Sequence, residues 1–393
     1  MVRAAAGRAG VTGSLPLWIR ADGEVAELAG RLGRSPAVAL DTEADSLHHY
    51  PERLCLLQVA DAGGAAHLVD PLAGADLRPL GAVFTDPHVL KVVHAGDNDL
   101  AALKRRYGFA FAFVFDTYIA ARFLGRAELG LEVLLQRYLG LEPGPSRQKD
   151  DWSARPLTPA QERYALDDVR YLIPLRERLL EELRAIAREA WVLEECAALA
   201  AQEPPVRLRD PDAYFDIKGA RALPPRALAI LRELHAFREA AALATGRPPF
   251  KILGNETLRD IAAARPGNAA VLAAIPGCTR RVLERWGEAI LSTVARGEGL
   301  PADQLPQPPR HPRPAVSAAV RRRVQALRAW RAAAAERLAL DPGVLLPGRL
   351  IERLAEAAPA DLAALAAIEG LRRWRVQEFG PVLLAALAES PAA

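Results

Sequence analysis

The sequence predicts an α/β domain of roughly two hundred residues followed by two all-helical domains. Three observations predict this order. Short apolar runs alternate with helical patterns in the first half, the second half carries helical patterns alone, and proline-rich stretches punctuate the chain. A length of 393 residues also exceeds what one hydrophobic core usually organises, which favours two or three domains.

The first half is expected to alternate between strands and helices. Short apolar runs predict four strands, and apolar residues at helical spacing predict three helices before a long helical stretch. Thr158 and Pro159 are typical of the cap and first turn of that stretch, which continues almost to Ala201. The predicted strands are Ala37–Asp41, Leu54–Ala60, Ala66–Asp70 and Leu90–His94, and the predicted helices are Asn98–Tyr107, Tyr118–Phe123 and Leu129–Leu139.

Proline-rich segments and an internal repeat divide the chain. Residues 203–211 close the first domain, and residues 300–314 predict a stiff, extended linker. The helical segments on either side of that linker resemble each other at an offset of 93 residues, with Trp286 corresponding to Phe379. Such agreement in register predicts a duplicated helical domain. The predicted domains are residues 1–205, 213–298 and 316–393, with a linker at 299–315.

The composition is that of a folded protein from a reducing compartment. Hydrophobic residues make up 51% and charged residues 25%, which excludes a disordered chain. Cys55, Cys196 and Cys278 are far apart in the sequence, which argues against a disulfide scaffold or a zinc site. The N-terminus lacks the apolar core of a signal peptide, and no run of about 18 uncharged apolar residues occurs. We therefore expect a cytoplasmic protein without a membrane span.

Charge is distributed unevenly along the chain. Residues 1–200 carry 23 Lys and Arg against 28 Asp and Glu, a balance of −5, whereas residues 201–393 carry 28 against 20, a balance of +8. An acidic half followed by a basic half suits a carboxylate-rich site attached to a tail that binds a polyanion. The alternative is that two unrelated domains differ by this much by chance.

Acidic residues gather at three places in the first half. Asp41 and Glu43 are two residues apart on a predicted strand and therefore point to the same face. Residues 97–99 (Asp-Asn-Asp) follow another predicted strand, and Tyr164 and Asp168 share one face of a helix. Each cluster alone also has a structural interpretation: solvated acids after a strand, acids favoured by a helix dipole, or a surface tyrosine one turn from an acid.

Together the three clusters predict metal-dependent chemistry on a phosphodiester. Four carboxylates and a tyrosine form an oxygen-only set, which suits Mg²⁺ or Mn²⁺ better than zinc. Two such ions about 3.5–4 Å apart can clamp the attacking and leaving oxygens of a phosphodiester displacement. A tyrosine hydroxyl beside the ions can orient the attacking water.

Three segments resemble the exonuclease motifs of the ribonuclease D family, in the order that the family has them. They are residues 41–61 (DTEADSLHHYPERLCLLQVAD), 91–109 (KVVHAGDNDLAALKRRYGF) and 150–172 (DDWSARPLTPAQERYALDDVRYL). The repeated helical units are similar to the helicase-and-RNase-D C-terminal (HRDC) domain, present twice. The resemblance covers nearly the whole chain. It implies an α/β ribonuclease H-like exonuclease domain of the DEDD superfamily followed by two all-α, HRDC-like helical bundles.

The resemblance also implies roles for five residues. Asp41, Glu43, Asp99 and Asp168 would be the four metal-binding carboxylates, and Tyr164 would orient the water. Asp41 would bridge two divalent cations, Mg²⁺ or Mn²⁺, with Glu43 and Asp168 completing one site and Asp99 supporting the other. The implied reaction is hydrolysis at the 3′ end of RNA, tRNA precursors among the substrates, releasing nucleoside 5′-monophosphates. The chain is expected to act as a monomer without an obligate protein partner.

Basic residues outside the carboxylate clusters are candidates for contacts with the RNA backbone. Lys149 and Arg155 precede the helix that carries Tyr164, and Arg321 and Arg322 lie in the densest basic stretch of the tail. The alternative for each is an ordinary solvated side chain.

Two other functions stay open at this point. A 3′–5′ exonuclease that acts on DNA would use the same carboxylates, because no residue identifies itself as a contact to a 2′-hydroxyl. A non-catalytic protein that binds nucleic acid through its helical domains would have no need of a complete carboxylate set.

Overall fold

The N-terminal part of the chain is a six-stranded mixed sheet with helices on both faces, and the remainder is helical. The computed structural model describes residues 17–142, 144–204, 210–308 and 317–388. The predicted fold class is therefore confirmed. The strands are β1 (Trp18–Ile19), β2 (Ala37–Ala44), β3 (Leu54–Asp61), β4 (Ala66–Val69), β5 (Leu90–Val93) and β6 (Val114–Asp116).

The sheet has the strand order β1-β4-β3-β2-β5-β6, which places β2 between an antiparallel and a parallel neighbour. Strand β3 is also antiparallel to β4, whereas β1 pairs parallel with β4 and β6 parallel with β5. Every residue of β3 is buried because both faces of the sheet are covered. The two- and three-residue strands β1 and β6 were not predicted, since runs that short carry no detectable periodicity.

Eight helices surround the sheet in the described part of residues 17–204. The predicted helical stretch from Thr158 is three helices, separated at Tyr171 and at residues 186–188. The predicted N-cap is confirmed, because the Thr158 hydroxyl accepts from the backbone N–H of Gln161 and the Gln161 side chain accepts in return from the Thr158 N–H. The eight are α1 (Asp22–Leu32), α2 (Leu80–Thr85), α3 (Asp97–Tyr107), α4 (Thr117–Phe123), α5 (Leu131–Leu139), α6 (Pro159–Arg170), α7 (Leu172–Ala185) and α8 (Glu189–Ala201).

The tail repeats one five-helix unit. The first four helices of the second copy begin and end 93 residues after their counterparts in the first copy, which confirms the predicted duplication. The first copy contains α9 (Pro225–Thr245), α10 (Pro249–Ile252), α11 (Asn255–Ala264), α12 (Ala269–Ala273) and α13 (Arg280–Glu298). The second copy contains α14 (Ala318–Leu338), α15 (Pro342–Leu345), α16 (Gly348–Ala357), α17 (Leu362–Ala366) and α18 (Arg373–Ala388).

The second helical copy shares one hydrophobic core with the sheet domain. Trp191 of α8 stacks on Trp374 of α18, with ring centroids 4.5 Å apart and an interplanar angle of 16°. Glu195 accepts hydrogen bonds from the Trp374 indole at 3.1 Å and from Arg375 at 2.5 Å. Glu194 accepts from the backbone N–H groups of residues 373 and 374, at the start of α18. Trp374 is thus a core residue, and the core it joins extends across two domains.

The first helical copy has its own core and meets the sheet domain through the loop after β2. Tyr50 packs against that core, donates its backbone N–H to the Gly246 carbonyl at 3.0 Å, and donates its hydroxyl to Glu239 at 2.7 Å. The two copies of one helical unit therefore contact the sheet domain in different ways.

Two features predicted from sequence touch residues outside the described ranges. The predicted boundary at residue 205 falls there, as do residues 309–315 of the linker predicted at 299–315. Within the described ranges, no helix is long and apolar enough to span a membrane.

A glycine at the interface between the sheet domain and the second helical copy gives a stability prediction. Gly125 has a φ of 70°, and a Cβ built on it would overlap the carbonyl oxygen of Ala339. Gly140 has a similar φ of 67°, but a Cβ there would meet nothing within 4 Å. Gly140→Ala should therefore lower the free energy of unfolding by about 1–2 kcal/mol through backbone strain alone. Gly125→Ala should lower it by about 1–3 kcal/mol more, as in an overpacked core.

Urea unfolding of the two variants beside the wild type measures both costs. Equal losses of stability from Gly125→Ala and Gly140→Ala would contradict close packing of the second helical copy on the sheet domain.

Candidate active site

The central strand β2 carries the first two predicted site residues. Asp41 and Glu43 lie near its end and share one face of the sheet, opposite the face that bears Thr42. Strand β3 pairs with β2 along this segment, and Glu43 lies directly opposite Leu56. Because this segment of β2 is paired with β3, its two carboxylates are fixed by the backbone of the sheet rather than by a loop.

Helix α6 brings the third carboxylate over the same face. Oxygen atoms of Asp41, Glu43 and Asp168 lie within 4.8 Å of one another. Tyr164, one turn earlier on α6, faces the same cleft and packs beside Trp152 with ring centroids 6.1 Å apart. Asp167 also lines the cleft and lies 3.6 Å from Arg170.

The fourth carboxylate, Asp99, follows a loop whose backbone is hydrogen-bonded to the buried Asp116. Asp99 lies in the first turn of α3 and accepts from the backbone N–H of Thr42 at 3.1 Å and from its hydroxyl. Asp116, at the end of β6, is almost fully buried and accepts from four backbone N–H groups, those of residues 95, 96, 118 and 119. These bonds join the starts of α3 and α4. Sequence reasoning missed Asp116, although an aspartate just before a predicted helix is an N-cap signal.

The electrostatics of the cluster fit a cation. Burial, and then the charges of Asp99 and Asp168, raise the pKa of Asp41 well above its ordinary value. Burial and the same two neighbours raise the pKa of Glu43 to about 9. Burial raises the pKa of Asp168 to about 7 against hydrogen bonding with Tyr164, and that of Asp99 to about 6. Converging, partly buried carboxylates with oxygen atoms this close form a donor set suited to hard divalent cations.

A cleft of about 1070 Å³ extends from the carboxylates. Its far part is lined by His94, Tyr118, Leu129 and Gln136. The His94 Nδ1 lies 2.9 Å from the Thr117 hydroxyl, and burial lowers the pKa of His94 to about 4, so the ring is neutral at pH 7. The cleft is large enough for one nucleotide and combines an acidic end with a partly apolar, aromatic end.

The structure argues against one predicted RNA contact. The five N–H groups of Arg155 all have partners: two go to Asp70, and the others go to the carbonyls of residues 55, 152 and 154. This guanidinium anchors the loop before α6 and has no donor left for a phosphate. Lys149, by contrast, is exposed, and its carbonyl accepts from His48.

The predicted basic stretch in the tail lies on α14. Arg321 is exposed and Arg322 is partly buried. Two nearby arginines serve the fold: Arg323 donates to the Ala355 carbonyl at 3.1 Å and Arg331 donates to the Leu346 carbonyl at 3.0 Å. The basic stretch therefore contributes partly to internal packing.

Comparisons with known proteins agree with this geometry. Residues 16–184 match the family described as 3′–5′ exonuclease, and residues 227–294 and 320–387 each match the HRDC domain. Ribonuclease D of Pseudomonas paraeruginosa is 34% identical over 380 residues, which cover 94% of this chain and 97% of that protein. The chain belongs to the ribonuclease D family. It is accordingly a hydrolase, a 3′–5′ exoribonuclease.

Further relatives extend the comparison to solved structures. Ribonuclease D of Escherichia coli is 33% identical over 291 residues, covering 74% of this chain and 77% of that protein. The crystal structure of Escherichia coli RNase D aligns with a TM-score of 0.69 at 28% identity, over 95% of this chain and 99% of that one. A protein from Bifidobacterium adolescentis aligns with a TM-score of 0.79 at 23% identity, a likeness of fold alone.

The raised carboxylate pKa values predict how the stability of the metal-free protein depends on pH. Between about pH 5 and 7 the folded state keeps protons on both Glu43 and Asp168 that the unfolded state releases, and from about pH 7 to 9 it keeps the proton on Glu43. The free energy of unfolding should therefore fall as pH rises through this window, by up to about 1.4 kcal/mol per pH unit for each proton retained.

Thermal unfolding in chelator from pH 5 to pH 9 measures this dependence, and Asp41→Asn is the matched control. Removing one charge should flatten the profile, and saturating Ca²⁺ should flatten that of the wild type. The same slope in both proteins would mean that other groups cause it.

Proposed function

We propose that Asp41, Glu43, Asp99, Tyr164 and Asp168 form the active site of this exoribonuclease and that two divalent cations act there. The observation that carries this proposal is the approach of three carboxylates within 4.8 Å in a member of the ribonuclease D family. The enzyme would act as a monomer and release nucleoside 5′-monophosphates from the 3′ end of RNA.

Each carboxylate has a distinct place in the proposed metal site. Asp41 would be shared between the two cations, Glu43 and Asp168 would complete one position, and Asp99 would support the other. When bound, Mg²⁺ or Mn²⁺ would lower the pKa of a water molecule and neutralise charge on the phosphate and the leaving oxygen. The backbone of β2 and the Thr42–Asp99 hydrogen bonds keep Asp41, Glu43 and Asp99 in place without substrate, and helix α6 carries Asp168.

Tyr164 would orient the attacking water. Burial, and then the charge of Asp168, raise the pKa of this tyrosine above its ordinary value, so its hydroxyl stays protonated at pH 7. A protonated hydroxyl acts as a hydrogen-bond donor and acceptor rather than as a base. Tyr164 would therefore hold the water in line with the scissile bond and leave the proton to solvent or to a carboxylate.

The far part of the cleft would receive the terminal nucleotide. Tyr118 and Leu129 offer surfaces against which a base can pack, and Gln136 offers hydrogen bonds to its edge or to the ribose. Because His94 is neutral, it adds a polar group to the cleft but no positive charge that would retain the phosphate.

The substrate class would be RNA with a single-stranded 3′ end, tRNA precursors in particular. The crystal structure of the Escherichia coli relative describes that enzyme as an exoribonuclease involved in structured RNA processing. A basic tail with a balance of +8 suits a folded RNA that extends beyond the cleft. Exposed Lys149 beside the cleft and Arg321 on α14 would contribute backbone contacts, Arg322 less so because it is partly buried.

The proposed domain boundaries separate the catalytic unit from the two helical units. We place the exonuclease domain at residues 1–205, the two HRDC-like units at 213–298 and 316–393, and the linker at 299–315. The HRDC matches at 227–294 and 320–387 and the helix bounds support this arrangement.

The first activity prediction concerns the residue shared between the proposed metal positions. A 5′-labelled RNA with a single-stranded 3′ tail should give a ladder of shortened products with Mg²⁺ or Mn²⁺ and none with chelator. Asp41→Ala should lower the rate on the order of 10³-fold or more, because several kcal/mol of transition-state stabilisation are lost.

Matched RNA and DNA oligonucleotides serve as the control for substrate class. Equal ladders from wild type and Asp41→Ala would exclude the proposed site. Faster digestion of DNA than of RNA would favour the alternative nuclease.

The second activity prediction separates orientation of the water from metal binding. Tyr164→Phe should lower kcat by about 10²–10⁴-fold, the range for a group that assists proton transfer. It should leave the rise in Tm caused by Mn²⁺ unchanged, because the carboxylates remain. Tyr171→Phe, which alters a tyrosine packed in the core at the end of the same helix, is the matched control. Similar kcat values for the two variants would contradict the role of Tyr164.

A further inference from the structure

A buried glutamine beside the carboxylates has no hydrogen-bond partner. Gln58 lies in the middle of β3 with no exposed surface, and neither its Oε1 nor its Nε2 is hydrogen-bonded to a described residue. Buried polar side chains are nearly always satisfied, because stripping an amide of water without replacing its hydrogen bonds costs free energy. This amide therefore requires an explanation.

The register of the sheet places Gln58 next to Asp41. The two are direct partners in the antiparallel pairing of β2 with β3, so their side chains lie on the same face, with Cβ atoms about 4.5–5.5 Å apart. On its other side Gln58 is the partner of Leu68 in β4. The amide thus lies between the first metal-binding carboxylate and an apolar neighbour.

The other residues around Gln58 do not explain why a side-chain amide lies at this position. Leu56, two residues earlier on the same face, and Leu68 belong to an apolar cluster beneath α6 that also contains Leu166. A methionine would fill the same space in this cluster with similar length and flexibility, and no polar group would lose its water. The packing of the sheet alone therefore favours an apolar residue at position 58.

Among the described residues, no side chain donates a hydrogen bond to the Asp41 carboxylate. Asp99 is held by the Thr42 hydroxyl, and Asp116 by four backbone N–H groups. The hydrogen bond that lowers the pKa of Asp41 comes from the backbone of Thr42. Carboxylates that bind metal are themselves usually oriented by a second hydrogen bond.

We infer that Gln58 is a positioning residue for Asp41. Because neither amide atom is bonded to a described residue, its Nε2 donates to the Asp41 carboxylate through one buried water and so orients the oxygen atoms that face the divalent cations. This inference rests on the proposed metal site. It adds a residue that touches neither substrate nor cation and acts through Asp41 alone.

The test compares Gln58→Met with Leu57→Met, which makes a similar apolar change on the opposite face of the same strand. Mn²⁺ binding is measured by calorimetry without RNA, and Tm is measured in chelator. Gln58→Met should weaken Mn²⁺ binding by about 10–100-fold. Its Tm in chelator should equal or exceed that of wild type, because an unsatisfied amide has been removed. Leu57→Met should bind Mn²⁺ as wild type does.

Steady-state kinetics provides a second readout. At subsaturating Mn²⁺, Gln58→Met should lower kcat and leave the KM for RNA within about twofold, since the amide does not touch the substrate. A lower Tm in chelator with unchanged Mn²⁺ affinity would make Gln58 a structural residue and would overturn the inference.

Asp41→Asn separates failure of this inference from failure of the proposed function. Loss of Mn²⁺ binding in Asp41→Asn but not in Gln58→Met overturns the role of Gln58 and leaves the metal site standing. Unchanged binding in both variants overturns the metal site itself. If Gln58→Met does not fold, a crystal structure of the wild type with Mn²⁺ decides the question. An Nε2 atom more than 3.5 Å from the Asp41 carboxylate, with no water between them, would refute the inference.

Discussion

Repulsion among closely spaced, partly buried carboxylates is the constraint on which the rest of this structure depends. Asp41, Glu43 and Asp168 place oxygen atoms within 4.8 Å of one another, and burial together with the charges of neighbouring carboxylates raises the pKa of each. A flexible loop would let such groups move apart. Here two of them stand on a segment of β2 that is paired with β3, and the third stands on a capped helix packed against that sheet. The scaffold thus opposes a repulsion that a divalent cation would relieve.

Hydrogen bonds between residues that are distant in sequence complete the scaffold. Asp116 gathers four backbone N–H groups at the starts of two helices, and this fixes the turn from which Asp99 reaches Thr42. Arg155 gives all five of its N–H groups to Asp70 and to three carbonyls, which fixes the loop before α6. Both side chains act on residues distant in sequence, so the site depends on groups that never enter the cleft.

Duplication of the helical unit has produced two different relations to the sheet domain. The second copy places Trp374 against Trp191 and joins the core of the exonuclease domain. The first copy keeps a separate core and contacts the loop after β2 through Tyr50. The helices of the two copies are in the same register, so the sequence repeat alone does not distinguish them. Their roles differ because Glu194 and Glu195 of α8 engage the start of α18.

The sequence by itself determined the fold class, the repeat, the cap at Thr158 and the family. These depend on periodicity, on capping chemistry and on motifs whose residues are close together in the chain. It also singled out the carboxylates, because spacing of two on a strand and four on a helix implies a shared face. Only the tertiary structure decided which predicted RNA contact is already held by the fold and where Gln58 lies. Arg155 looked like an RNA contact until Asp70, 85 residues away, proved to hold it. Pairing across strands places Gln58 beside Asp41, and no pattern within one strand encodes its neighbour.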